Sequence, residues 1–479
     1  MTSLLEIRLD RSASTTLVEQ IRLGVLAAIE SGALEPGARL PSWLTLAAQL
    51  GVARGTVKSA YERLADEQVV VSSGPGGTRV ADHPVRAEFV VRPGGTEPPP
   101  ALYAHLLAPP VTFQMGVPAS DLFPVGLLAR LRAHAARAEA AALAVYPDPR
   151  GEAALKREIA AHLALARGFD CRPSQVFVTA GFTGALGQVL RLLQVEGGKA
   201  WMEDPGFFQS RRALELAGVA PVPVPVDEEG MDVAYGMANV PDAAVVLVTP
   251  GQQAPLGSTL SLRRRVDLIE WAVRSGAWII EDDYLGELQL KRRAAPALAS
   301  LDGFGRVIHI GSFSKTVSPS LRLGFVVVPL ALVDRFNEIV MCLGSAPGPA
   351  VQQAIAEFMR EGHYMRHLRR MKRIYAERGD LLRTTLERAG YDVRIRALSV
   401  VLSLPDGAPD VAIADQARQL GLAPEPLTRW FDARSRASPG LLLGIATSTE
   451  AQIPTACEHL HQLIRTFLLP TSGPGHRLL

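Results

Sequence analysis

The stretch 81–110 decides more about this chain than any other. It carries Pro84, Pro93, Pro98, Pro99, Pro100, Pro109 and Pro110, together with Gly94 and Gly95. Such a proline density stiffens and extends a chain, to roughly 3 Å per residue where the polyproline helix forms. A linker of this kind separates two bodies and can cross the face of the larger one. The expected organisation is a head at 1–80, a Pro-rich linker at 81–110, a body at 111–468 with a smaller lobe from about 390, and a flexible tail at 469–479. With 479 residues the chain has ample length for more than one domain and for large cores.

Composition excludes several classes. No apolar run is long enough to span a bilayer, and Met1–Asp10 lacks the apolar centre of a signal peptide. Cys171, Cys342 and Cys457 are far apart and odd in number, which suits a reducing, cytoplasmic setting and offers no metal-ligand spacing. The net charge is +2. Within residues 1–80, eight Lys and Arg are balanced by eight Asp and Glu, so any DNA contact comes from where cations stand rather than from bulk charge.

The head reads as helices. An edge strand is expected at Leu4–Leu9. Leu17, Ile21, Val25 (or Leu26) and Ile29 are spaced for a helix over Thr16–Ser31, stopped by Gly32. Pro41 and Ser42 open a second, short helix with Leu44, Leu46, Ala47 and Leu50 as its apolar face. Gly51 breaks it, and Arg54–Asp66 forms a third with Val57, Tyr61 and Leu64 inward. Two helices joined by a Gly-containing turn make a helix-turn-helix, whose second helix presents its N-terminal residues to base edges. Residues 69–72 and 78–80, around Gly74-Pro-Gly-Gly77, read as a β-hairpin whose glycines let backbone approach phosphates. The candidate DNA-binding residues are Arg39, Ser42, Arg54, Thr56, Lys58, Gly76 and Gly77. The bland alternative for this region is a helical cap domain.

In the body, apolar strands alternate with helices, the pattern of an α/β domain. One turn stands out: Gly311-Ser-Phe-Ser-Lys315, followed by Arg322, between the apolar strands 306–310 and 325–328. A lysine at the end of a central strand needs a reason, because desolvation disfavours its charge. One reason is a Schiff base with an aldehyde cofactor, since burial supplies the neutral amine. Ser312, Ser314 and Arg322 would suit a phosphate nearby. The alternative is an ordinary surface-turn lysine. Trp278–Tyr284 is a second apolar strand running into acids, with Asp282 and Tyr284 on one face. An Asp against a pyridinium nitrogen keeps that ring an electron sink. The strand 176–180 followed by Gly181, Phe182 and Thr183 makes a helix N-terminus suited to an anion.

Four ordered motifs together resemble the MocR/GabR regulators: the Lys315 turn, Glu281-Asp-Asp-Tyr284, Glu203-Asp-Pro-Gly-Phe207, and the helix His363–Arg378. The resemblance covers nearly the whole chain. It implies a GntR-type winged helix-turn-helix head joined to a fold-type I aminotransferase body, α/β with a mostly parallel central sheet and a smaller α+β lobe. It also implies pyridoxal 5′-phosphate (PLP) as an internal aldimine on Lys315. Phe207 inherits a place stacked on the pyridine ring, Gln253 a contact to the ring hydroxyl, and Tyr146 a reach to the phosphate of a partner subunit. The chain departs from the family at Trp43 and Leu44, where a polar residue and an Arg usually follow Leu-Pro-Ser. It departs again at Gly251, Gln252, Ala254 and Leu256. No Arg lies on the strand 440–446, and Gln209 is neutral, so the usual grips for an amino-acid carboxylate are missing.

Three readings follow. The first is a homodimeric, PLP-binding transcriptional regulator on double-stranded DNA with repeated half-sites, switched by an amine or amino-acid-like effector or by PLP itself. The second is a working aminotransferase with a vestigial head. The third is a DNA-binding module whose body only dimerises. In the Arg-rich stretch Arg366–Arg378, Met365, Leu368, Met371 and Tyr375 are expected on one stripe and the cations on the other.

Overall fold

The computed structural model describes residues 7–13, 15–72, 77–82, 109–142, 146–290, 295–344, 346–396, 398–432 and 437–468. The interior of the expected linker, the tail 469–479 and the hairpin tip with Gly76 lie outside the described residues. The chain divides into two compact units, Met1–Leu107 and Ala108–Leu479.

The smaller unit holds three helices, α1 (Leu17–Glu30), α2 (Trp43–Leu50) and α3 (Arg54–Asp66). Thr16 and Ser42 cap the first two, their side-chain oxygens accepting from the Glu19 and Thr45 amides. Each cap satisfies one of the amide donors a helix start leaves orphaned. Ile21, Val25, Leu46, Val57 and Leu64 are fully buried in one shared core. Burial of such side chains is worth about 1.5–3 kcal/mol apiece. The hairpin is present as β1 (Val70–Ser72) paired antiparallel with β2 (Thr78–Val80). Two expectations fail here. Leu44 is 45% exposed; it lies two residues from Leu46, roughly 200° around the helix, and cannot share its face. Ile7–Leu9 form no strand, and residues 4–6 lie outside the described residues.

The larger unit is built on an eight-stranded sheet. Its strands are β3 (Val176–Thr179), β4 (Lys199–Asp204), β5 (Ala220–Asp227), β6 (Gly230–Met231), β7 (Val245–Val248), β8 (Trp278–Asp283), β9 (Val307–Ser312) and β10 (Gly324–Val327). The order is β3-β10-β9-β8-β7-β4-β5-β6. Pairs β4–β5, β4–β7, β7–β8 and β8–β9 are parallel; β10 runs antiparallel to both its neighbours. Alternation along the strands assigns residues to two faces. Ala200, Met202, Val245, Leu247, Ile280, Ile308 and Ile310 pack with the helix Gly181–Leu193 on one side. Trp201, Val246, Val248, Ile279 and Val307 pack on the other, where Trp201 stacks on Trp271 at 4.0 Å. The C-terminal ends of β3, β4, β7, β8 and β9 reach one edge of the sheet, the usual ligand edge of open α/β folds.

A smaller sheet follows: β11 (Val393–Arg396), β12 (Ser399–Ser403), β13 (Glu425–Pro426) and β14 (Gly440–Gly444), in the order β11-β12-β14-β13. The helical region beyond β10 is three helices, Val333–Leu343, Pro349–Arg360 and His363–Arg388. On the last, the buried stripe is Tyr364, His367, Leu368, Met371, Tyr375, Arg378, Leu382 and Leu386. Met365, expected on this stripe, is 40% exposed; Tyr364 one position earlier takes its place. Among the described residues no helix is long and apolar enough to cross a membrane.

Candidate functional site

The helix Gly181–Leu193 begins at the ligand edge with Ala180 as its N-cap, so no side chain caps it. Its first amides therefore remain free to meet an anion. Arg322 stands over this end. Its Nη2 donates to Thr183 Oγ1 at 3.0 Å and to Ala180 O at 3.2 Å. Gly181, which opens this helix, is at φ +71°, a left-handed conformation that favours glycine. The Ser312 hydroxyl, at the end of β9, accepts from the Ser314 amide at 3.2 Å. Gly181, Thr183, Arg322, Ser312 and Ser314 thus converge on one cationic, donor-rich corner. Phe182 follows on the first turn of the helix, its ring 6.5 Å from that of Phe207.

Asp282 and Tyr284 lie at the end of β8. Asp282 is on the same face as Ile280, whereas Glu281 and Asp283 point to the other side. Burial drives the Asp282 carboxyl well above its usual range, aided by Asp283 and Glu203 and opposed by Lys315. Burial and the neighbouring Asp282 likewise raise the Tyr284 hydroxyl. Lys315 is half-buried on the turn after β9. Burial lowers its amine to about 8, and Asp282 pulls in the opposite sense. The amine donates to the Gly116 carbonyl.

Several pairings around this centre were not legible in the sequence. Glu203 and Thr249 close the ends of β4 and β7: the Thr249 amide donates to Glu203 Oε1 at 3.2 Å and its hydroxyl to Oε2. Burial raises the Glu203 carboxyl to about 7. Behind the sheet, Arg167 Nε and Nη2 hold Asp283 at 2.8 and 3.0 Å. His309 Nδ1 meets Glu281 Oε2 at 3.0 Å, and its Nε2 lies 3.9 Å from Asp283. Tyr364 donates to Thr316 Oγ1 at 3.1 Å and His367 Nε2 meets Thr316 O at 2.9 Å, so one helix grips the residue beside Lys315. Further along that helix, Tyr375 OH accepts from the Ala119 amide at 2.9 Å, and Arg378 reaches Asp121 and Ala446 O. These pairings join residues far apart in the chain, and only the folded topology brings them together.

On the outer side of the site, Phe207 is 5.9 Å from Trp430 in ring-centroid distance. Met115, Leu256, Tyr284 and Phe431 pack into the same apolar cluster. Arg211 lies 3.8 Å from Asp204 and 4.0 Å from Asp432. Gln253 is buried, but its Nε2 donates to Pro205 O and Ala254 O, each at 2.7 Å, and its Oε1 accepts from Leu256 N. In this arrangement both amide hydrogens fasten the surrounding loop rather than point at a ring hydroxyl. Tyr146 is fully exposed and joins none of these groups.

In the head, Arg54 and Lys58 are exposed on α3 and Thr56 is partly so. α3 begins at Ala53 without a side-chain cap, which leaves amides open to a phosphate. Ser42 is occupied as a cap and also meets Thr45 Oγ1 at 2.7 Å. Arg39 bridges to Arg79 beside Gly77, where a Cβ would lie 3.1 Å from Arg39 Nε.

The fold and this edge define a winged helix-turn-helix head joined to a body of the aminotransferase class. Residues 17–80 match the model described as bacterial regulatory proteins, gntR family, and residues 112–425 match aminotransferase class I and II. The chain is 35% identical to the probable rhizopine catabolism regulatory protein MocR of Rhizobium meliloti, over 91% of this chain and 92% of that protein. It is 33% identical to the pyridoxine biosynthesis regulator PdxR of Corynebacterium glutamicum, over 78% and 79%, and 30% identical to TauR of Rhodobacter capsulatus, over 94% and 97%. Among solved structures, α-aminoadipate aminotransferase LysN of Thermus thermophilus superposes with a TM-score of 0.68 at 25% identity, covering 75% of this chain and 92% of that one. The chain belongs to the MocR-type family, helix-turn-helix transcriptional regulators that carry an aminotransferase-like domain.

Proposed function

We propose that the protein is a DNA-binding regulator whose body holds PLP covalently through Lys315. The observation that carries this reading is the convergence of four features at one sheet edge: a lysine of lowered proton affinity, the buried Asp282, the Arg322 guanidinium and an uncapped helix end. The donor set fits the cofactor. Arg322, Thr183, Ser312, Ser314 and the amides of Gly181 and Phe182 would hold its phosphate, and Asp282 its ring nitrogen. Tyr284 would face the ring hydroxyl and Phe207 the ring plane. When bound, the cofactor supplies an electrophilic aldehyde carbon and an electron-withdrawing ring. LysN, solved with a phosphopyridoxyl-leucine adduct, supports that chemistry for this fold.

The effector is an amine, an amino-acid-like molecule or PLP itself, and it acts by binding one arrangement of head and body better than the other. Two chains pair, and the exposed Tyr146 reaches the partner's phosphate. The paired heads then meet two half-sites of an operator. Arg54, Lys58, Thr56 and Arg39 make the DNA contacts, with the backbone at Gly77. Adding PLP to purified protein and recording the visible absorbance band tests the reading. The band forms in the native chain and is lost in Lys315→Ala; a native chain that stays colourless overturns it. A gel shift that weakens steeply with salt tests the head.

A further inference from the structure

The segment Val111–Gly116 lies near the start of the described part of the larger unit and runs from the end of the Pro-rich stretch to the lysine. It is fastened to the smaller lobe along its length. Ala423 N donates to Thr112 O at 2.8 Å, Gly444 N to Phe113 O at 2.7 Å, and Thr447 Oγ1 to Gln114 O at 2.9 Å. The Phe113 amide donates to Ser448 Oγ at 3.3 Å. Gly444 permits the approach: a Cβ there would lie 2.1 Å from Gln114 O. At its far end the segment offers the Gly116 carbonyl to the Lys315 amine, and Gly116 itself is at φ +82°.

One residue in this strap is held against its own preference. Phe113 is fully buried at φ +70°, a conformation a bulky L-residue rarely adopts. Such conformations persist only where the surroundings over-determine them, and they concentrate at clamps and switch segments. The strain is of the same order as one charge-assisted hydrogen bond. Losing the lysine contact therefore changes the balance that keeps the strap in place.

We propose that the Gly116 carbonyl is the resting partner of the Lys315 amine, and that Val111–Gly116 is the strap that loosens when the amine is engaged elsewhere. The inference rests on the reading of Lys315 as the cofactor lysine. Condensation of the neutral amine with an aldehyde forms a C=N bond and breaks the C=O bond. The oxygen leaves as water with both amine hydrogens. The nitrogen is then tied to a ring and no longer free to serve Gly116. The strap continues in sequence into the stretch that leads to the DNA-binding head.

Hydrogen exchange on the full-length protein, followed peptide by peptide with and without PLP, tests this alongside the absorbance band. The Phe113 and Gln114 amides are expected to exchange at least about threefold faster once the band has formed, a local opening that other sheet amides do not share. In Lys315→Met the strap is expected to exchange at the faster rate already, with no response to PLP. A band that forms while strap exchange stays unchanged overturns the inference and leaves the cofactor reading standing. No band at all overturns both. Should Lys315→Met fail to fold, the native chain with and without PLP decides alone.

Discussion

The Asp282 carboxyl and the Lys315 amine oppose each other's desolvation across the end of the sheet. Burial lowers the amine to about 8 and Asp282 raises it, while burial raises Asp282 and Lys315 lowers it. Each group limits the displacement of the other.

The first prediction concerns rate against pH. Only the neutral amine attacks an aldehyde, and lowering the amine to about 8 increases the neutral fraction at any pH below its ordinary 10.5. The second-order rate of PLP capture should climb about tenfold per pH unit below 8 and level off above it. Stopped-flow absorbance checks this. In Asp282→Asn the plateau should move to lower pH, because the group that raises the amine's proton affinity is gone.

Glu203 gives a prediction for stability. Its folded carboxyl is raised from 4.5 to about 7, so the folded state binds the proton more tightly than the unfolded one. Stability from this group is full below 4.5 and falls as pH rises toward 7. Glu203→Gln removes the penalty; the carboxamide keeps both contacts to Thr249, whose hydroxyl turns from donor to acceptor. Denaturant unfolding should show the variant gaining on the native chain from pH 5 to 8, by up to about 3 kcal/mol.

Arg322 is exposed and serves as no core prop. Arg322→Ala should leave the melting temperature unchanged while weakening PLP affinity about 10- to 100-fold, the worth of a charge-assisted phosphate contact. Titration of the visible band measures it.

At the start of α2, Trp43 and Leu44 are 40% and 45% exposed and carry no charge. Leu44→Arg should strengthen operator binding several-fold and steepen the log–log salt dependence by about 0.9 for one added phosphate contact. Gel shifts at two salt concentrations decide this, and the melting temperature should not move, because the side chain leaves no core.

The strand ends were readable because apolar runs broken by acids or small residues are local patterns. Asp282, Lys315, Arg322 and the helix start at Gly181 were found that way and meet at one edge. Face assignment on helices was less secure. Leu44 is apolar by type yet lies off the buried face of α2, and Met365 lies off the buried stripe of His363–Arg388, which takes the polar Tyr364 and His367 instead. Gln253 was legible as a polar residue beside the site, but nothing local shows that its amide hydrogens serve Pro205 and Ala254. The Glu203–Thr249 and Arg167–Asp283 pairs lay deeper still. They join residues 46 and 116 positions apart, and only strand order sets such neighbours.

The helix His363–Arg388 touches Thr316 near its first turn, Ala119 midway and Ala446 further on. A rod pinned at three stations transmits rotation as a lever does. The turn beside Lys315, the segment at Ala119 and the strand end at Ala446 thus share one rigid support, and a displacement of any of them has to be taken up by that helix or by its hydrogen bonds.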